Sequence, residues 1–249
     1  MGQLVKEKND IPDERYRDML IRLMKRQVMA EYRASLVYSR AVALGPTWKD
    51  KILMTRIGAE EGRHTLLVGT LLDDLAIDVE QYLADFFRAH PIAYHDDWHQ
   101  VVARLFLGDR AAVYQLTTYL NNSYQPWARV MHSIVMDEAG EGGHMDLGVE
   151  AVAEICKTET GRNAFQRIIN SMLPYAIRLL GDPSNPENEY CRSVGLKTKT
   201  SGEVQKEYFD KLIVEFHRFG LRIPNLEKAG IHLDDVADRL VKQSGLISE

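Results

Sequence analysis

Apolar positions recur at helical spacing through most of this chain and almost nowhere alternate as they would in a strand. From Asp13 to Leu44 there is no Pro or Gly, and Leu20, Met24, Val28, Ser35, Tyr38 and Val42 share one stripe, which predicts a long helix ended by Gly45-Pro46-Thr47. A second helix is predicted from about Trp48 to Leu72, with Ile57, Val68 and Leu72 on its stripe. Residues 73–97 are acidic and aromatic and read as a crossing connection, long for a simple hairpin. Two more helices are predicted over Trp98–Asn121 and Pro126–Lys157, and a fifth over Gly161–Leu180. The run Gly181-Asp182-Pro183-Ser184-Asn185-Pro186 breaks the pattern, after which Glu203–Phe219 is amphipathic and a tail follows with Pro224. The expected fold is all-α: a helical bundle over residues 1–180, with 181–249 as a C-terminal helical extension packed on it.

The stripes are interrupted by carboxylates. Glu31 lies three residues after Val28 and four before Ser35, where an apolar side chain belongs. In the next helix Glu61-Gly62-Arg63-His64 places a carboxylate and an imidazole at i and i+3, on one face and in register with Ile57 and Val68. Such Glu-x-x-His pairs build metal sites in the cores of helical bundles. The arrangement recurs: Asp109 interrupts the stripe between Leu105 and Val113, and Glu141-Gly142-Gly143-His144 supplies a second Glu-x-x-His. The spacings are similar, 30 residues from Glu31 to Glu61 and 32 from Asp109 to Glu141. Glu138, 29 residues after Asp109 and on the stripe through Met131, Ile134 and Val135, competes with Glu141 for one position. Glycines at 140, 142 and 143 each cost about 1 kcal/mol in a helix interior, so a bulge or unwound turn is expected there.

Four inward carboxylates carry about −4 and two ferrous ions about +4, so six ligands and two metals make a nearly neutral buried cluster. One histidine per metal in a carboxylate-rich set suits iron or manganese better than zinc, and two iron ions are the expected cofactor.

The remaining features carry less chemistry. His95-Asp96-Asp97-Trp98-His99 sits in the connection without matching carboxylates and is expected to be a solvated loop. Cys156 and Cys191 have no local base and are expected to be inert thiols. The Lys197-Thr198-Lys199 cluster is expected at the surface, where it could meet a phosphate-bearing ligand such as coenzyme A. A net charge of −5 with 31 scattered basic residues offers no stripe for a phosphate backbone, so no nucleic acid is expected. The scarcity of cysteine, the lack of an evident leader, apolar runs too short to span a bilayer, and a Met1-Gly2 start without Ser or Thr at position 6 point to a cytoplasmic protein with no membrane anchor.

With these residues in hand, the sequence resembles the phenylacetyl-CoA epoxidase family, most closely the catalytic component of that enzyme. Asp109-Arg110-Ala111-Ala112 and Ser123-Tyr124-Gln125-Pro126-Trp127-Ala128-Arg129-Val130-Met131 are similar to that family's Asp-Gly-Ala-Ala and Ser-Tyr-Gly-Pro-Tyr-Ala-Arg-Ala-Met. Gly195-Leu196-Lys197, Glu203–Phe209 and Gly220-Leu221-Arg222-Ile223-Pro224 resemble its C-terminal segments. The resemblance implies a ferritin-like four-helix bundle and a di-iron centre that inserts one oxygen atom from O2 into the ring of an aromatic acyl-CoA thioester. It further implies electrons from a separate NAD(P)H-dependent reductase and a homo- or hetero-oligomeric assembly. Carried over by position, the ligands are Glu31, Glu61, His64, Asp109, one of Glu138 and Glu141, and His144. The chain departs by a three-residue surplus between Met131 and His144, where the family reads Glu-Glu-x-x-His without interruption. Two other readings are an iron-storage or ferroxidase protein, and a non-catalytic structural component of a multicomponent oxygenase.

Overall fold

The computed structural model describes residues 4–248; the Met1-Gly2 feature lies outside them. It is an all-α fold of the ferritin-like type, in which the only β pairing among the described residues is two isolated bridges, Val5 to Tyr124 and Ile223 to Ile247. Helix α1 (Glu14–Ala41) begins where the Asp13 side chain accepts from Tyr16 N–H, and α2 (Trp48–Asp74) where Thr47 and Asp50 cap each other reciprocally. The two form the first hairpin.

The connection is not bare: α3 (Val79–Ala89) starts at the Asp78 cap and packs only partly buried Tyr82, Phe86 and Phe87. Its surface position explains why its charges read as loop. The predicted third helix is three segments, α4 (Trp98–Ala103), a π-helical stretch Arg104–Asp109, and α5 (Arg110–Thr117). The predicted fourth helix is broken in two, α6 (Gln125–Ala139) and α7 (His144–Ile155), and the unwinding falls on the glycine-rich stretch. Gly142 there has φ of 70°, a conformation side-chain-bearing residues rarely adopt.

Helix α8 (Glu159–Leu179) is followed, beyond the Gly181–Pro186 breaker, by α9 (Glu187–Ser193) and α10 (Ser201–Phe219), capped by Thr200 and Glu203 and stopped by left-handed Gly220. The tail carries α11 (Asp235–Gln243). One apolar core joins Val102, Phe106 and Leu107 around the π stretch to Phe165 and Ile169 of α8, Phe209 and Phe216 of α10, and Val241 of α11. The C-terminal helices therefore brace the π stretch from outside the bundle.

Helix α7 approaches the π stretch closely at Gly148, where an added Cβ would stand 2.9 Å from the backbone nitrogen of Phe106. Backbone cannot yield as a side chain tip can. Gly148→Ala is expected to destabilise the protein by about 1–3 kcal/mol, despite alanine's better helix propensity, as a lower urea midpoint would show. No described helix is long and apolar enough to cross a membrane.

Candidate metal centre

The bundle core holds six charged or titratable side chains that an apolar core would exclude. Glu31 comes from α1, Glu61 and His64 from α2, Asp109 from the end of the π stretch, Glu138 from the last turn of α6, and His144 from the first turn of α7; each is buried. They form two overlapping groups, Glu31-Glu61-His64-Glu138 and Glu61-Asp109-Glu138-His144, and within each group one ligand atom per residue lies within 4.8 Å of the others. Glu61 and Glu138 belong to both.

His64 Nδ1 lies 3.7 Å from Glu31, 3.9 Å from Glu61 and 3.5 Å from Glu138. His144 Nδ1 lies 3.6 Å from Glu61, 3.9 Å from Asp109 and 2.9 Å from Glu138. The two halves thus repeat one design around two shared carboxylates.

Of the two competitors, Glu138 turns inward and Glu141 is exposed. Helix α6 ends at Ala139, so Glu141 falls in the surface turn rather than one helical turn before His144. The second Glu-x-x-His is therefore not a same-face pair: of the two glutamates that the sequence left in competition, Glu138 is the one that meets His144, and it does so across the break.

Electrostatics follow from crowding. Burial, and then the neighbouring Glu138, push Glu61 well above the usual carboxylate range, and burial likewise raises Asp109 and Glu138. Burial also opposes the Glu31 charge, but hydrogen bonding to His64 outweighs it and holds that carboxyl below its ordinary value. Burial opposes the imidazolium at both histidines, yet Glu31 and Glu61 raise His64 to about 11, and Glu138 with Asp109 raises His144 to about 10.

His64 Nδ1, His144 Nδ1 and Glu138 Oε2 are nevertheless buried with no well-formed hydrogen bond: the carboxylates around His64 Nδ1 stand 3.5 Å or more away, and the 2.9 Å approach of His144 Nδ1 to Glu138 Oε2 is charge contact without hydrogen-bond alignment. Each such atom costs on the order of 1–3 kcal/mol. Cations placed between the two groups would satisfy all three atoms and offset the carboxylate repulsion, so the donor set fits a dinuclear metal site.

Outside this cluster lies a layer that helical periodicity does not predict. His64 Nε2 is 2.9 Å from Asp137, and His144 Nε2 is 3.0 Å from Glu60. The contacts cross: the residue before Glu61 serves the distant histidine, as does the residue before Glu138. The acidic pairs Glu60-Glu61 and Asp137-Glu138 are the signal for it in the sequence. Asp137 is also bound by Arg63, and Glu60 lies 3.6 Å from Arg56. Gln27 donates to Glu31 at 3.1 Å while accepting from the Trp127 indole at 2.8 Å, and Tyr38 donates to Asp109 at 2.5 Å.

A cavity of about 160 Å³ reaches Glu31, Glu61, Asp109 and Glu138 from between α1, the π stretch, α5 and α8. Its walls include Leu23, Ala34, Leu116, Tyr119 and Leu179, and Arg26, Arg33, Arg104 and Arg178 also line it. Lys197, expected at the surface, is buried with its ammonium 5.7 Å from the Tyr119 ring centroid, while Lys199 pairs with Glu207 at 2.6 Å. His95 is half-buried rather than solvated, and burial, then Arg104, depresses it to about 4. Cys156 and Cys191 are buried, free thiols pushed up by that burial.

The chain is 22% identical over 237 residues to the A subunit of the 1,2-phenylacetyl-CoA epoxidase of Escherichia coli (strain K12), covering 92% of this chain and 75% of that protein. The sequence profile of phenylacetic acid catabolic proteins matches residues 1–240, and the chain belongs to that family.

Proposed function

We propose that this protein is the oxygen-activating component of a multicomponent oxygenase, that Glu31, Glu61, His64, Asp109, Glu138 and His144 hold two iron ions, and that its substrate is an aromatic acyl-CoA thioester. The observation that carries this reading is the paired carboxylate-histidine cluster with unpartnered imidazole nitrogens at the end of a cavity. The relative's name supplies the reaction class, epoxidation of phenylacetyl-CoA, and its being one component of an enzyme implies partners. Iron would supply the binding and reduction of O2 that side chains cannot perform, with electrons from a separate NAD(P)H-dependent reductase.

The chain's own residues do the rest. Glu61 and Glu138, shared by both groups, fix the separation of the two sites; Asp137 and Glu60 hold the imidazole rings in orientation. Tyr38 keeps its proton, because burial and then Asp109 raise its phenol well above the ordinary value, and so it donates to Asp109 throughout the working pH range. The cavity's apolar walls shield the reacting end from bulk water, while the exposed Arg26 and Arg178 and half-buried Arg33 suit the phosphates of a CoA ligand. A purely structural component would have no use for a complete inward donor set, and a storage protein none for an arginine-lined cavity.

Metal analysis after expression in iron-supplemented medium tests the reading. About two irons per chain, with oxygen consumption coupled to aryl-CoA turnover when a reductase is supplied, is the expected result; less than about half an iron per chain overturns it.

Loading is expected to depend on pH. In the metal-free protein the two histidines hold protons up to about 11 and about 10, so binding at neutral pH expels a proton from each. Raising the pH lowers that cost, and apparent affinity should rise by about tenfold per unit for each proton displaced. Anaerobic ferrous titration in weak buffer should therefore acidify the solution, by at least about one proton per iron.

A further inference from the structure

Arg104 is the cation closest to the candidate metal centre, and nothing in the fold uses its hydrogen-bonding capacity there. Its Nε is buried with no acceptor, and the one carboxylate oxygen within reach of an ion pair, Asp109 Oδ1, is 4.0 Å away, beyond a hydrogen bond. The guanidinium lies 5.3 Å from the Tyr38 ring centroid, and the Tyr38 hydroxyl is committed to Asp109 Oδ2. A guanidinium carries five N–H donors and keeps its charge; here the side chain is 13 % exposed, Nε is the donor sealed from solvent, and leaving that buried N–H unmatched is costly.

The backbone aims it. In an α-helix residues five apart stand about 140° apart around the axis, but the wider π turn, closed by an i to i+5 hydrogen bond, narrows that offset to roughly 50° and puts both on one side of the helix. Arg104 and Asp109 are the first and last residues of the π stretch, and both line the cavity with Glu61 and Glu138. The π stretch thus delivers a cation and a candidate ligand side by side to the cavity's inner end.

We infer that Arg104 is a substrate-binding residue that donates to the carbonyl oxygen of the acyl group and so sets how far the adjoining ring lies from Asp109 and Glu138. This rests on the acyl-CoA reading proposed above. A neutral carbonyl suits the place better than a phosphate, because Asp109 already balances the charge and the surrounding lining of Gly108, Ala112 and Leu116 is small or apolar. The cavity's exposed arginines, Arg26 and Arg178, are the ones open to solvated phosphates. In an arylacetyl thioester the carbonyl is one methylene from the ring, so fixing the oxygen confines the ring.

The test is calorimetric binding of phenylacetyl-CoA and of its thioether analogue, which lacks the carbonyl, to the metal-loaded chain and to Arg104→Gln. Wild type is expected to favour the thioester by about 10- to 100-fold. Arg104→Gln should lose that preference while holding the thioether as tightly as wild type and retaining its iron. Arg104→Lys, which keeps the charge beside Asp109, replaces it if the glutamine variant does not fold, and should lose at least about threefold of the preference. Equal affinity of wild type for both compounds, or an equal loss of both in the variant, overturns the role of Arg104 alone. Wild type binding neither compound overturns the acyl-CoA reading, and this inference with it.

Discussion

Replacing Glu138 with alanine should abolish turnover, by about a thousandfold or more, and reduce iron to less than about half an atom per chain, whereas Glu141→Ala should leave both at wild-type levels. Losing a thousandfold corresponds to about 4 kcal/mol of transition-state stabilisation, within what a metal centre supplies. Glu138 belongs to both groups of the cluster, so its removal takes a donor from each site at once and cannot be compensated within one. Glu141 stands exposed in the turn between α6 and α7, outside both groups of the cluster. Iron analysis and aryl-CoA turnover on the two variants, side by side, check this. Loss of iron in the Glu141 variant, with retention in the Glu138 variant, would reverse the assignment and require the turn to refold on metal binding.

That pair also marks the boundary of what the sequence makes legible. Glu31, Glu61, His64 and Asp109 each have apolar stripe residues on both sides in register, so periodicity alone assigns their side chains to the core. Glu138 and His144 do not share a helix. Three glycines in four positions announce that the helix is weak there, but where it ends, and hence which glutamate is the last to face inward, depends on packing: α7 must rotate to set Gly148 against the π stretch. The π stretch is equally hidden, since Asp109 interrupts the stripe in either an α or a π geometry, and the core that packs on it, with Phe165, Phe209 and Phe216, comes from segments far along the chain. Helix α3 reads as connection because its acidic residues dominate the stretch, although Val79, Tyr82, Leu83, Phe86 and Phe87 do recur at helical spacing and the first three pack against the core. Lys197 reads as surface because a lysine seldom goes inside without a carboxylate, and the ring that receives it, Tyr119, lies 78 positions earlier.

The crossed outer carboxylates offer a sharper test of the proposed two-metal arrangement than any single ligand. Asp137 holds His64, which belongs to the group with Glu31, and Glu60 holds His144, which belongs to the group with Asp109. Removing a carboxylate that orients a metal-bound histidine typically costs 10- to 100-fold in affinity. Asp137→Ala and Glu60→Ala are therefore each expected to weaken one iron by about that factor and leave the other near its wild-type affinity, giving a two-phase ferrous titration against a competing chelator. The double variant should return to a single weak phase. Arg63→Ala provides the control, because it removes the exposed partner of Asp137 but not the carboxylate itself, and an exposed pair contributes no more than about 1 kcal/mol. If Asp137→Ala instead weakened both irons equally, the two histidines would not belong to separate metals, and the paired-site geometry proposed for Glu61 and Glu138 would fail with it.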